Sequence, residues 1–260
     1  LRTGIEETRP DYVVHLAAQS FVPRSFADPH ETFEINFLGT LNLLEALKAC
    51  GFRGRILYVG SGDEYGVVYE EDLPIIESHP LRPRNPYAVS KAAAEMLCYQ
   101  WCQTEGMNIV MVRPFNHIGP GQDERFAVSN FAKQVIEIKR RRHKPIIEAG
   151  DLTAVRDFTD VIDVARAYFA LLEGGKAGEV YNVCSGEGRS LGNLLQRMLV
   201  LAGVRAEIVT DSARLRPSEQ KRVVGSNRKL VETTGWQPEI TIEQSLQNIL
   251  DDWERRLSNG

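Results

Sequence analysis

The sequence has no apolar run approaching the roughly 18 residues that span a bilayer, so no membrane helix is expected. It has four cysteines, Cys50, Cys98, Cys102 and Cys184, and their spacing fits no zinc template. Cys98 and Cys102 fall i, i+4 on one predicted helix, where both read as small packed hydrophobes. No signal-peptide pattern occurs. These absences together point to a reduced, cytoplasmic protein without a metal. Internal repeats and low-complexity segments are absent as well. Charge of one sign is also lacking: the net charge of −4 offers no nucleic-acid surface. The one basic run, Lys139-Arg140-Arg141-Arg142-His143-Lys144, reads as a solvated helix end. The first residue is Leu1, inside what reads as a helix, and no initiator Met precedes it.

What is present is ordinary for a folded domain. The 260 residues are 43% apolar and 25% charged, enough for one large core or a core with a small second lobe. Asp11 to Ala18 (DYVVHLAA) reads as a buried strand and Pro29 to Cys50 as one long helix, with Phe33, Phe37, Leu41, Leu44 and Leu47 on its apolar side. A strand at Arg55–Val59, a helix from Asn85 to about Glu105, a strand at Ile109–Arg113 and a helix from Phe126 to Arg142 follow. Strand–helix alternation of this kind predicts an α/β fold, a Rossmann-like doubly wound parallel sheet covered on both faces. After about residue 145 the segments shorten: strands at 145–147 and 180–183 alternate with helices at 159–173, 190–203 and 241–257. The expected organisation is a first domain at 1–145 and a smaller α/β lobe at 146–260, interleaved with it and without a clean linker.

Open parallel sheets bind ligands at the carboxyl ends of their strands. Three consecutive predicted strand ends carry small or polar residues: Ala17-Ala18-Gln19-Ser20, Gly60-Ser61-Gly62-Asp63 and Pro114-Phe115-Asn116-His117. On the helix opened by Asn85-Pro86, Tyr87 and Lys91 stand one turn apart on one face. An ammonium beside a phenol favours the phenolate, so Tyr87 is expected to have a lowered pKa and to exchange a proton with a carbonyl or hydroxyl oxygen. Ser61, at the preceding strand end, is placed to hydrogen-bond the reacting oxygen. The bland alternative is an exposed helical pair and a turn serine.

Five segments in order, Val13-Val14-His15-Leu16-Ala17-Ala18, Asn36-Phe37-Leu38-Gly39-Thr40, Ser61 followed by Tyr65-Gly66, Pro86-Tyr87-Ala88-Val89-Ser90-Lys91 and Arg113-Pro114, resemble the extended short-chain dehydrogenase/reductase family. Gln19-Ser20 is similar to its GDP-mannose dehydratase branch. The stretch from Arg113 to Gln122 resembles the branch that reduces GDP-4-keto-6-deoxy-D-mannose, as do Arg216-Pro217-Ser218-Glu219, Gly225-Ser226-Asn227 and Gly235-Trp236-Gln237-Pro238. The family's opening strand and Gly-x-x-Gly-x-x-Gly turn, on which a dinucleotide pyrophosphate rests, do not occur in these residues. The sequence therefore reads as a piece of a longer chain, with the choice between NAD(H) and NADP(H) made elsewhere.

The resemblance implies roles position by position. Ser61, Tyr87 and Lys91 would be catalytic. Leu16, Ala17, Ala18, Gln19 and Ser20 would line the cofactor, with Tyr87, Lys91 and His117 at its nicotinamide ribose; His117 could instead be a packed loop histidine. Asn116 matches a substrate-contacting position, Arg156 and Arg216 match diphosphate ligands, Glu219 a ribose ligand, and Lys133 is a further diphosphate candidate. Arginine suits that task because its planar fork offers paired donors. The implied reaction is reduction of the C4 ketone of GDP-4-keto-6-deoxy-D-mannose to GDP-D-rhamnose. Asp63 keeps dehydration open, since dehydratase relatives carry an acidic group there, and a non-catalytic nucleotide-sugar-binding protein is a third reading. Glu64 departs from the apolar residue usual before Tyr-Gly. Helices 29–50 and 86–105 resemble those of a four-helix dimer interface, so a homodimer is implied; their apolar faces could equally be buried within one chain.

Overall fold

The computed structural model describes residues 1–211 and 220–258. In chain order, α1 (Arg2–Thr8) leads into β1 (Tyr12–His15), then α2 (Val22–Ala27), α3 (Pro29–Phe33) and α4 (Gly39–Ala49) precede β2 (Arg55–Val59). The long α5 (Pro86–Glu105) connects to β3 (Asn108–Pro114), β4 (Asn116–Ile118) and α6 (Ala127–Lys139). Next come β5 (Ile146–Ala149), β6 (Val155–Asp160), α7 (Val161–Gly174), β7 (Val180–Val183), β8 (Gly188–Ser190) and α8 (Leu191–Ala202). The chain closes with β9 (Glu207–Thr210), β10 (Arg222–Val223), α9 (Arg228–Thr234) and α10 (Ile242–Arg256).

The main sheet is wholly parallel, in the order β1-β2-β3-β7. Because successive side chains leave a strand on opposite faces, each central strand feeds two cores. Ile56, Tyr58, Ile109 and Met111 pack against Leu44, Leu47, Ala94 and Cys98 from α4 and α5. Leu57, Val59, Val110 and Val112 pack on the other face against Val164, Ala167, Leu171 and Leu230 from α7 and α9. Helices on both sides are what make apolar strands of this kind stable in water. A third core joins α6, α8 and α10 over the strands after residue 145. Strands β4, β6, β8 and β10 form a sheet ordered β10-β6-β4 with β8 against β6, and β5 and β9 form a separate pair. Since β7, α7 and α9 complete the main sheet, the chain past residue 145 serves both halves of the molecule.

Several segments differ from expectation. The helix over 29–50 is interrupted by a π turn at Glu34–Leu38, and at its centre the buried Asn36 has left the apolar pattern to bond elsewhere. The first strand stops at His15, and residues 16–20 run on as loop. The helix expected from 159 begins at Val161, because Thr159 and Asp160 finish β6 and the Asp160 carboxylate caps the helix by accepting from Ile162 N. Strand β6 itself (VRDFTD) has no apolar alternation to announce it. Its two buried aspartates are satisfied instead, Asp157 by Ser185 and Gly186 N–H groups and Asp160 by the Ser245 hydroxyl. The basic run begins at the end of α6, where Lys139 and Arg140 pair with Glu254 of α10. No helix among the described residues is long and apolar enough to cross a membrane.

The third core makes a direct test of packing. Leu246 is fully buried there. Leu246→Ala is expected to lower the unfolding free energy by roughly 2–5 kcal/mol, with an unchanged denaturant slope, in urea titrations of the full-length protein.

Candidate active site

Strand β2 delivers Ser61 to the carboxyl edge of the sheet. Beyond Gly60 the chain turns into a 3₁₀ segment at Gly62–Tyr65, for which Ser61 is the cap. The Ser61 Oγ accepts from Asp63 N at 3.1 Å, and the Glu64 carboxylate accepts from Ser61 N at 2.7 Å. This reciprocal pair is a capping box. The turn closes on Gly66, whose φ of 68° and close approach to the Arg82 carbonyl (1.9 Å from an added Cβ) admit no side chain.

Helix α5 delivers the other two groups. Asn85 caps it by accepting from Ala88 N at 2.7 Å, with Pro86 in its first turn. Tyr87 is half-buried, with the Ser61 hydroxyl near its phenol. Burial pushes the phenol well up from its ordinary value; the neighbouring Ser61 hydroxyl opposes this, and the negative charge of Asp63 adds to it. Lys91, one turn on, is 4% exposed. Its ammonium donates to the Val59 carbonyl at 2.6 Å and lies 5.3 Å from the Tyr58 ring centroid. Desolvation lowers its pKa to about 8. The expectation that Lys91 lowers the Tyr87 pKa is thus not met in this state. The ammonium is tied to the end of β2, and burial of the phenol dominates.

The loop after β1 completes the crevice. Leu16 is 61% exposed, and Ala17, Ala18 and Ser20 follow it with small side chains. Gln19 behaves differently from its neighbours: its amide accepts from Phe21 N and donates to Thr32, turned into the protein. Its backbone N–H and C=O are both held by the Asn36 side chain, at 2.8 and 3.0 Å. Asn36 also donates to Ser90 Oγ, which donates to the Tyr87 carbonyl at 2.7 Å. A buried chain therefore runs from the first strand end to the helix bearing Tyr87. Asn36 and Ser90 were legible only as motif letters, without a role.

Asn116 and His117 open β4 beside the Ser61 turn, where the Phe115 ring packs on Gly62. Both are open to solvent; the His117 Nδ1 lies 3.2 Å from the Phe115 carbonyl, and the surrounding protein lowers its pKa. Asp63 is exposed at the mouth of the turn. Arg156 lies on β6 directly opposite Arg189 of β8, its Nη1 donating to the Val155 carbonyl. Lys133 pairs with Glu124 and rests over the Trp253 ring. Arg216 and Glu219 lie outside the described residues.

The fold agrees with the comparisons. The family model described as GDP-mannose 4,6 dehydratase matches residues 1–249. Over 248 residues, 95% of this chain and 82% of the relative, the sequence is 54% identical to a GDP-6-deoxy-D-mannose reductase of Pseudomonas aeruginosa. The chain belongs to the extended short-chain dehydrogenase/reductase family. Among solved structures, Pseudomonas aeruginosa RMD complexed with NADPH superposes with a TM-score of 0.92 at 53% identity, covering 95% of this chain and 82% of that one. A Thermus thermophilus UDP-glucose 4-epimerase in complex with NAD superposes at 0.85 and 33% identity, covering 97% and 80%.

Members of this family take a nicotinamide dinucleotide, and the residues present fit the nicotinamide-ribose end of one. The buried Lys91 ammonium makes a single hydrogen bond among the described residues, leaving donors for ribose hydroxyls. Exposed Leu16 offers an apolar surface for a ring.

The Lys91 environment yields a stability prediction. The folded chain releases the Lys91 proton near pH 8, whereas an unfolded lysine keeps it to 10.5. Between those values the unfolded state binds more protons, so stability rises with pH. Below pH 8 both states hold the proton and the contribution is flat. Wild type is therefore expected to gain about 3 kcal/mol relative to Lys91→Met between pH 8 and 10.5, read by denaturant titrations at a series of pH values. A pH-independent difference would contradict the burial argument.

Proposed function

We propose that this protein reduces the C4 ketone of GDP-4-keto-6-deoxy-D-mannose with NADPH, forming GDP-D-rhamnose. The observation that carries the reading is the convergence of Ser61, Tyr87 and the buried Lys91 at the carboxyl end of β2, in a chain 54% identical to a GDP-6-deoxy-D-mannose reductase. A reduction needs an acid at the developing alkoxide, and a neutral phenol is one.

The cofactor, when bound, supplies the hydride. Tyr87 gives its proton to the C4 oxygen as negative charge develops there. Ser61, beside Tyr87, holds and polarises the same oxygen. Lys91 binds the nicotinamide ribose. Leu16, Ala17, Ala18 and Ser20 line the cofactor, and Gln19 acts through the shape it gives that loop. Asn116 and His117 border the sugar. Arg156 binds the diphosphate, together with Arg216 and Lys133, and Glu219 takes the nucleotide ribose. The division into a cofactor-binding part at 1–145 and a nucleotide-sugar lobe at 146–260 follows from these assignments. Asp63 sustains the dehydratase reading, because its carboxylate acts on Tyr87 from the mouth of the crevice. The protein would work in the cytoplasm.

Full-length protein is expected to consume NADPH on addition of GDP-4-keto-6-deoxymannose. Tyr87→Phe should lower kcat by roughly 100- to 10,000-fold with little change in cofactor affinity. Conversion of GDP-mannose without net cofactor use would move the assignment to dehydration.

Ile35, Leu38, Val89, Met96 and Tyr99 are exposed on the helical segments 29–49 and 86–105. Their burial against the same surface of a second copy supports a homodimer. Sedimentation at micromolar concentration is expected to give the dimer mass; a monomer would refute it.

A further inference from the structure

Directly beneath Ser61 lies a carboxyl group that the mechanism above does not use. Glu64 has no exposed surface. One oxygen accepts from Ser61 N at 2.7 Å, and the other, Oε2, accepts no hydrogen bond among the described residues. The nearest cation to it is Arg113, whose Nε lies 3.6 Å away. That guanidinium is already committed: Nε and Nη2 donate to Glu95 at 2.8 and 2.6 Å, while Nη1 donates to the Tyr65 hydroxyl at 2.9 Å and the Glu77 carbonyl at 3.2 Å. The backbone is built around the carboxyl as well. A Cβ on Gly60 would fall 2.5 Å from Glu64 Oε1, so glycine at the end of β2 is a condition of the carboxyl lying there.

The charges decide its protonation state. Two buried carboxyls, Glu64 and Glu95, share one buried guanidinium, and a second buried anion without its own partner is costly. The two-pronged bond to Arg113 marks Glu95 as the ionised member. Glu64 is left with an orphaned oxygen that burial and the Glu95 charge both oppose ionising. The groups facing it are Glu95, Lys91, Tyr87 and Cys98 from α5, Tyr58 from β2, Arg113 from β3, and Tyr65 and Asp63 in its own turn. A negative charge here would act on Tyr87 and Lys91 together, making the phenol harder to ionise just as it must give up its proton.

We propose that Glu64 is a positioning residue: a neutral carboxylic acid that holds the Ser61 backbone from inside the fold and thereby fixes where the serine hydroxyl stands beside Tyr87. What the site needs from it is the acceptor, not the charge. Glutamine supplies the same acceptor at the same length, and leucine supplies only the volume.

The test rests on the reductase reading for one arm and is independent of it in the other. In the kinetic arm, full-length E64Q should keep kcat for GDP-4-keto-6-deoxymannose within about threefold of wild type, whereas E64L should lose about 100-fold in kcat with KM nearly unchanged. If E64Q falls as far as E64L, the charge is what matters and the proposal is wrong; if E64L retains wild-type kcat, the contact to Ser61 does nothing and it is also wrong. In the spectroscopic arm, the infrared difference spectrum of wild type minus E64Q at neutral pH should show the C=O stretch of one buried carboxylic acid. A missing band, or one that survives in E64Q, would put the proton elsewhere and overturn the proposal, even if E64L fails to fold. Absence of any turnover by wild type would instead refute the functional reading, with the infrared result still deciding Glu64.

Discussion

The buried ion pair between Arg113 and Glu95 joins the parts of this molecule that have to meet. Arg113 stands at the end of the central strand β3 and Glu95 on the helix that carries Tyr87 and Lys91, and the two are held in a paired geometry at 2.6 and 2.8 Å. The remaining arm of the guanidinium reaches Tyr65 in the Ser61 turn, and the Tyr65 hydroxyl passes the link to Asn182 on β7. Strand, helix, turn and the returning strand from the far half of the chain are thus fixed to one cation. An isolated charge there would be unaffordable, and loss of one partner from a buried pair costs roughly 3–5 kcal/mol.

Around this centre the titrating groups are set against their solution tendencies. Burial raises the Tyr87 phenol and lowers the Lys91 ammonium to about 8, so both are held nearer to neutrality than free side chains would be. His15, beside Lys91 and bonded to Thr40, is lowered to about 4 and is neutral at working pH. Apart from the Lys91 ammonium and the exposed Asp63, the crevice therefore carries little charge before ligands enter. A charged, phosphorylated cofactor and a diphosphate sugar then bring the largest charges, and the protein's response to them is concentrated in a few groups. That arrangement suits a reaction in which one proton must move on cue.

A second buried link explains why a loop and a helix distant in sequence keep a fixed spacing. Asn36 takes both backbone groups of Gln19 and reaches Ser90, which bonds the Tyr87 carbonyl. The π turn that places Asn36 costs the long helix its regularity, a pattern common where a helix serves a site.

The sequence by itself determined the strands β2, β3 and β7, the helices that cover them, the pairing of Tyr87 with Lys91 on one helical face and the resemblance to its family. These are local matters: apolar periodicity, an Asn-Pro helix start and short motifs read without knowing what lies across the fold. Only the tertiary structure decided the rest. The strands β4, β6 and β8 carry polar residues whose partners arrive from other segments, so no pattern marks them. The raised pKa of Tyr87 depends on burial, and the direction of the Lys91 ammonium depends on where β2 ends; the i, i+4 spacing specifies neither. Glu64 read as an unexplained departure from an apolar position, because its reason lies in Gly60, Ser61, Glu95 and Arg113, which only the folded chain brings together.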